Sequence, residues 1–100
     1  MTSATRIGLP LPPGGGRDRE TVICGRVRGG SGHGIGGASV RLLDSSAEFT
    51  AEVIATPSGD FRFFAAPGTW TVLALSSAGE GDVTLQPDGA GIHQVDVKVA

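Results

Sequence analysis

The stretch from Thr56 to Leu75, TPSGDFRFFAAPGTWTVLAL, most constrains what this chain can fold into. Thr56-Pro57-Ser58-Gly59 has proline second and glycine fourth, as type I turns favour, and Ala66-Pro67-Gly68-Thr69 has a central Pro-Gly, as type II turns favour. Between and after these turns the apolar residues alternate with others, which is the period of a β-strand and not of a helix. The stretch therefore predicts two antiparallel strands.

The same alternation predicts which side chains enter the core. Phe61 and Phe63 share one face of the first strand, and Trp70, Val72 and Ala74 share one face of the second. A buried aromatic side chain removes about 150 to 250 Å² of surface from water. We therefore expect Trp70 to be a central core residue, whose replacement by alanine costs about 3 to 5 kcal/mol.

Short alternating strands are also predicted elsewhere, over residues 21–28, 38–44, 50–55, 82–85 and 92–99. Together with the central stretch they give seven strands, separated by Gly- and Pro-containing turns, and no longer window has helical periodicity. Seven such strands are typical of an all-β sandwich. We predict a seven-stranded antiparallel β-sandwich with an immunoglobulin-like architecture over residues 20–100.

Residues 1–19 differ in composition from the rest of the chain. They contain Pro10, Pro12, Pro13 and the run Gly14-Gly15-Gly16, and their apolar residues are few. Such a segment buries too little surface to offset the entropy of ordering. We predict an N-terminal arm that is either disordered or loosely docked through residues 7–11.

Charge and cysteine content exclude several classes of partner. The net charge is −2 and the sequence has no basic block, which disfavours nucleic acid and anionic membranes as partners. The single cysteine cannot form an internal disulfide, and no apolar run is long enough for a signal peptide or a membrane span. We expect a soluble cytoplasmic protein.

Several segments carry a resemblance to known β-sandwiches. GRVRGGSGHGIGGASVRL (25–42), TPSGDFRF (56–63) and PGTWTV (67–72) resemble the carboxypeptidase regulatory-like, or transthyretin-like, group. VRLLDSSAEFTAEV (40–53) and GDFRFFAAPGTWTV (59–72) are similar to a small actinobacterial family of unknown function that is associated with sulphur metabolism. The resemblance covers about residues 20–100 and implies a transthyretin-like fold.

The resemblance also implies a partner. Members of the family tend to be encoded beside a thiosulfate sulfurtransferase, and their own activity is not established. Many carry a cysteine directly after the initiator methionine, whereas this chain begins Met1-Thr2-Ser3. A ureide hydrolase of the transthyretin-like group uses paired histidines, an arginine and a C-terminal Tyr-Arg-Gly-Ser. This chain contains no tyrosine and therefore lacks that C-terminal motif.

Motifs for cofactor or metal chemistry are weak. The run from Gly32 to Gly37 fits G-x-G-x-x-G, but a strand is predicted after it, and a dinucleotide site needs a helix there. His33 and His93 are sixty residues apart and do not have the spacing of a zinc site; His93 is expected at the sandwich rim. We expect no cofactor, no metal and no enzymatic activity.

Cys24 has two interpretations. It can be a small apolar residue that packs on the sheet, or a reactive thiol whose pKa is lowered by Arg26 on the same strand face. The reactive thiol leads to an alternative function as a sulphur-relay or redox protein. A ligand- or carbohydrate-binding module is a second alternative, disfavoured by the absence of tyrosine.

Aliphatic residues at outward positions point to a binding function. They are Val22, Leu43, Ile54, Leu73 and Leu75. A contiguous group of such residues marks an interface, either with a protein partner or in self-association. The sequence therefore predicts a non-enzymatic accessory protein, with a thiosulfate sulfurtransferase as the partner that the resemblance implies.

Overall fold

The computed structural model describes residues 21–100, which form eight β-strands and, within this range, no helix. The strands are β1 Thr21–Arg28, β2 Ser39–Leu43, β3 Phe49–Ile54, β4 Asp60–Ala65, β5 Trp70–Ser76, β6 Gly79–Leu85, β7 Gly91–Gln94 and β8 Val97–Lys98. The predicted N-terminal arm, residues 1–19, lies outside the described residues.

The strands form two sheets that pack face to face. One sheet has the order β4-β1-β7, with β8 also paired to β1, and the other has the order β3-β2-β5-β6. The predicted all-β sandwich is confirmed, but the count of seven strands is wrong, because the predicted strand 92–99 is divided into β7 and β8. The fully antiparallel arrangement is also wrong, since β1 pairs in parallel with both β7 and β8.

The division between β7 and β8 arises where Gly25 and Arg26 of β1 meet Val95 and Asp96. The Val95 N–H still donates to the Cys24 carbonyl at 2.8 Å, but the Arg26 N–H donates to Oδ1 of Asp96, at 3.1 Å, instead of to a main-chain carbonyl. The Val95 carbonyl oxygen occupies the place where a Cβ atom at position 25 would lie, so glycine is required there. Gly25 and Asp96 together interrupt the ladder without changing its register.

The central stretch connects the two sheets. The Gly59 N–H donates to the Thr56 carbonyl at 2.8 Å, which closes the turn predicted before β4. β4 and β5 lie in different sheets, so the segment between them crosses the sandwich and does not form a hairpin. Gly68 in this segment has a φ of 144° and donates its N–H to the Pro87 carbonyl at 3.1 Å.

The core lies between the two sheets and consists mainly of alternating β-strand residues. Phe63 is its largest fully buried side chain, and the Phe61 and Phe63 rings lie 6.1 Å apart in a tilted arrangement. Trp70 is only partly buried: it packs against the core and donates its indole N–H to the Ala66 carbonyl at 2.7 Å. The prediction that Trp70 is a central core residue is therefore wrong. Trp70 is the first residue of β5, so it lies at one end of the sandwich, where the core is only partly covered.

Candidate functional site

A groove of about 650 Å³ lies on the outer face of the β4-β1-β7 sheet. The odd-numbered residues of β1 and β4 enter the core and the even-numbered ones point outward. Most of the even-numbered residues line the groove. We call it the arginine groove, because its charged side chains are three arginines and two aspartates, and Cys24 lies beside them. The charged residues are Arg26, Arg28, Arg62, Asp60 and Asp96.

Two ion pairs organise the arginine groove. Nε of Arg26 donates to Oδ1 of Asp60 at 3.1 Å, and Nε of Arg28 donates to Oδ2 of Asp96 at 2.7 Å. Arg28 also donates through Nη1 to the Gly32 carbonyl, at 2.8 Å, which ties the Gly-rich loop to the groove. The hydrogen bond from Arg28, supported by the Arg26 N–H, lowers the pKa of Asp96 despite its slight desolvation.

Cys24 is half-buried at the arginine groove, directly opposite Arg62 in the β1–β4 ladder. Burial raises the pKa of its thiol, and the opposing effect of the Arg62 charge is smaller. The nearby carboxylate of Asp60 raises the pKa further. The cation that acts on Cys24 is thus Arg62 and not the predicted Arg26, and the thiol is protonated at neutral pH.

Four of the five predicted interface residues lie on the outer face of the other sheet: Leu43, Ile54, Leu73 and Leu75. Val22 does not belong with them. It lies on β1, between Phe64 of β4 and Ile92 of β7, and it is 2% exposed. Its assignment to an exposed interface is therefore wrong, because outward parity on a strand does not by itself leave a side chain exposed.

Phe49 joins this face, although alternation alone does not place it there. A register shift between β2 and β3 sets Phe49 opposite Leu43, and its side chain is 60% exposed. Counted back from the buried Ala51 and Val53, Phe49 would point into the core, but the extra residue at the bulge reverses its direction. We call Leu43, Phe49, Ile54, Leu73 and Leu75 together the apolar face.

The apolar face surrounds one ion pair and has an acidic edge. Arg41 donates through Nε to Oε2 of Glu52 at 3.2 Å. The Ser39 hydroxyl also donates to Glu52, and these two hydrogen bonds lower the pKa of the Glu52 carboxyl. On the neighbouring β6, the exposed carboxylates of Glu80 and Asp82 lie opposite Leu75 and Leu73.

The two histidines make separate hydrogen bonds. A ring nitrogen of His93 lies 3.0 Å from the Gly89 carbonyl oxygen, and Nδ1 of His33 is hydrogen-bonded to the Ser31 hydroxyl. His93 is half-buried near the end of the sheet. Over residues 21–100 the structure contains no group of three or more His, Cys, Asp and Glu side chains that could hold a metal ion. The same range contains no helix that could span a membrane.

These features define a small all-β protein of the sandwich class, with a charged groove on one sheet and an apolar face on the other. Residues 2–99 match the family described as protein of unknown function (DUF1416), and the chain belongs to this family. The uncharacterized protein Rv0814c of Mycobacterium tuberculosis is 63% identical over 99 residues, which cover 99% of either chain. An uncharacterized protein of Mycolicibacterium smegmatis is 70% identical over 90 residues, which cover 90% of this chain and all of that one.

Solved structures share the fold. A DUF3823 family protein from Parabacteroides merdae superposes with a TM-score of 0.64 at 17% identity, over 82% of this chain and 46% of that one. The dioxygenase domain of a dioxygenase and carbohydrate-binding protein fusion from Streptomyces sp. SirexAA-E superposes with a TM-score of 0.59 at 10% identity over both full chains. Both relationships concern the fold alone.

Proposed function

We propose that this protein is a non-enzymatic accessory subunit that binds a protein partner through the apolar face. The observation that carries the proposal is the exposure of two large apolar side chains on the edge strand β3, Phe49 at 60% and Ile54 at 55%. Large apolar side chains exposed among polar ones on one face of a sheet are a common feature of binding interfaces. Leu43 lies beside Phe49, and Leu73 and Leu75 lie on β5, beyond Ser39 and the Arg41–Glu52 ion pair.

The surroundings of the apolar face favour a partner with basic residues around an apolar centre. Glu80 and Asp82 border the face on β6, and Glu48 precedes Phe49 at the start of β3. Charges at the rim of an interface steer association and select against partners of the same sign. A second copy of this chain would present the same acidic edge, so a different protein is the better match.

The resemblance of the sequence to a sulphur-metabolism family favours a thiosulfate sulfurtransferase as that partner. A reducing cytoplasm is the compartment that suits a protein with a single, protonated thiol. In this proposal the sulfurtransferase performs the chemistry. The β-sandwich contributes a rigid surface for binding and no reacting group.

The test compares two lysine substitutions of matched exposure on opposite sheets. Ile54→Lys changes the apolar face, and Ile92→Lys changes a residue that is 59% exposed on the other sheet. With the purified sulfurtransferase of the same organism, we expect isothermal titration calorimetry to show binding that Ile54→Lys weakens at least about tenfold and Ile92→Lys leaves unchanged. No binding by the unaltered protein would refute this partner, and equal losses in the two variants would refute this face.

The alternative role, a sulphur relay through Cys24, predicts a different result. A relay forms and breaks a bond at the thiolate, whereas burial raises the pKa of this thiol. Cys24→Ser is expected to leave sulfurtransferase binding and turnover in the complex unchanged. Loss of turnover with binding intact would replace the accessory role by the relay.

A further inference from the structure

The arginine groove concentrates guanidinium groups on one face of the protein. The chain carries a net charge of −2, yet the groove brings three arginines together with only two aspartates. These groups come from separate strands, β1 and β4, and from the segment after β7, so the fold and not a local charge run brings the guanidinium groups together.

The arginines keep hydrogen-bond donors available. Arg26 binds Asp60 through Nε alone, so within residues 21–100 neither of its terminal amino groups makes a hydrogen bond. Arg28 uses Nε and Nη1, and in the same range its Nη2 makes none. A guanidinium group has a fork of donors that matches an oxyanion, and a one-atom contact with an aspartate leaves part of this fork open.

The groove also has room for more than an ion. Its volume is about 650 Å³, and the half-buried Cys24 contributes a less polar surface beside the charged groups. Ligand sites for small molecules have volumes of about 300 to 1,000 Å³ and combine apolar walls with a few polar anchors. The groove is thus suited to a molecule with an anionic head group and a short carbon portion.

We infer that the arginine groove is a binding site for a small oxyanion, with the terminal amino groups of Arg26 and Arg28 as donors to its carboxylate, phosphate or sulfate oxygens. Asp60 competes with the ligand for Arg26 and thereby limits its affinity. The inference does not depend on the proposed function, because the groove and the apolar face lie on opposite sheets.

The probes are succinate, inorganic phosphate and sulfate, each titrated at constant ionic strength against chloride. Cys24 is the single thiol of the chain and lies in the groove, so its rate of alkylation by iodoacetamide reports occupancy. We expect at least one probe to slow alkylation saturably, and the same probe to shift backbone amide resonances of residues 24–28 and 94–96. Succinate acting alone identifies an organic carboxylate as the preferred ligand, and phosphate or sulfate acting alone identifies a tetrahedral oxyanion.

Two pairs of variants test the donors. Arg26→Gln is expected to weaken binding about tenfold, whereas Arg41→Gln, which removes an equivalent exposed pair on the other sheet, leaves it unchanged. Asp60→Asn is expected to tighten binding roughly threefold by releasing Arg26, whereas Glu52→Gln has no effect. No protection beyond that given by chloride, equal losses for Arg26→Gln and Arg41→Gln, or weaker binding by Asp60→Asn would each overturn the inference.

Discussion

Asp96, which lies between β7 and β8, binds two residues of the adjacent strand β1. Its Oδ1 accepts the Arg26 N–H at 3.1 Å, and its Oδ2 accepts from Nε of Arg28 at 2.7 Å. Hydrogen bonds to the charged form favour ionisation, which explains the lowered pKa of this carboxyl. One side chain therefore replaces a main-chain acceptor and also fixes an arginine of the groove.

The lowered pKa of Asp96 predicts a loss of stability in acid. A carboxyl whose pKa is lower in the folded state stabilises the protein above its unfolded pKa, about 3.9, and this contribution is lost as the pH falls through the folded value. Urea unfolding of the parent and of Asp96→Asn is the measurement. We expect the difference in their unfolding free energies to be constant near neutral pH and to shrink below about pH 4. Asp88→Asn serves as the control, since Asp88 is exposed on a loop and accepts no hydrogen bond within residues 21–100.

The burial of Phe63 and Trp70 predicts which of the two side chains contributes more to the free energy of unfolding. Phe63 is fully buried, and Phe63→Ala is expected to lower the free energy of unfolding by about 3 to 5 kcal/mol. Trp70 is partly exposed, so Trp70→Ala is expected to cost less, about 1 to 3 kcal/mol, including its hydrogen bond to Ala66. Chemical denaturation of both variants gives the comparison. A larger loss of unfolding free energy for Trp70→Ala than for Phe63→Ala would contradict the partial exposure of the indole.

Single residues also show what the sequence could and could not predict. The inward positions of Phe61, Phe63 and Val72 follow from alternation, and the structure confirms them. Alternation gives only the side of the strand, however, and not its place in the sheet. Val22 is buried although it has outward parity, and Trp70 is only partly buried because it is the first residue of β5; both differences depend on neighbours that are distant in the sequence.

At the scale of the elements, the parallel pairing of β1 with β7 and β8 decides the topology. Residues 92–99 alternate without interruption, so the sequence predicted one strand there. The interruption depends on contacts between residues about seventy positions apart, Arg26 with Asp96 and Gly25 with Val95. Strand periodicity carries no information about which strands pair, or about their direction. The arginine groove could not be predicted for the same reason, since this pairing brings Asp96 to the arginines.

Two glycine substitutions test the interruption of the ladder. A Cβ atom at position 25 would collide with the Val95 carbonyl, whereas position 30 has open space around it and no positive φ. Gly25→Ala is expected to lower the free energy of unfolding by about 1 to 3 kcal/mol, as overpacking does, and Gly30→Ala to leave it nearly unchanged. Thermal unfolding followed by circular dichroism measures both. Equal melting temperatures would show that the β7–β8 segment moves freely away from β1.

For the molecule as a whole, the end of the chain closes the sandwich. β8 pairs with β1 in the first sheet, and the Val99 N–H donates to the Arg28 carbonyl at 2.9 Å. The Ala100 N–H donates to the Glu80 carbonyl of β6, in the second sheet, at 3.3 Å. Val97 and Val99 are almost fully buried between the sheets. The last four residues therefore hold both sheets along this side.

Deletion of residues 97–100 is expected to unfold the protein or leave it marginally stable. Each buried valine contributes about 1.5 to 3 kcal/mol, and the hydrogen bonds of β8 are lost as well, against a total stability of about 5 to 15 kcal/mol for a typical domain. Calorimetry and amide dispersion in NMR spectra measure the loss. Deletion of Ala100 alone removes an exposed residue with one long hydrogen bond and is expected to change the melting temperature little. If the shorter chain kept the cooperative transition of the parent, closure of the sandwich would depend on the loops between the sheets and not on β8.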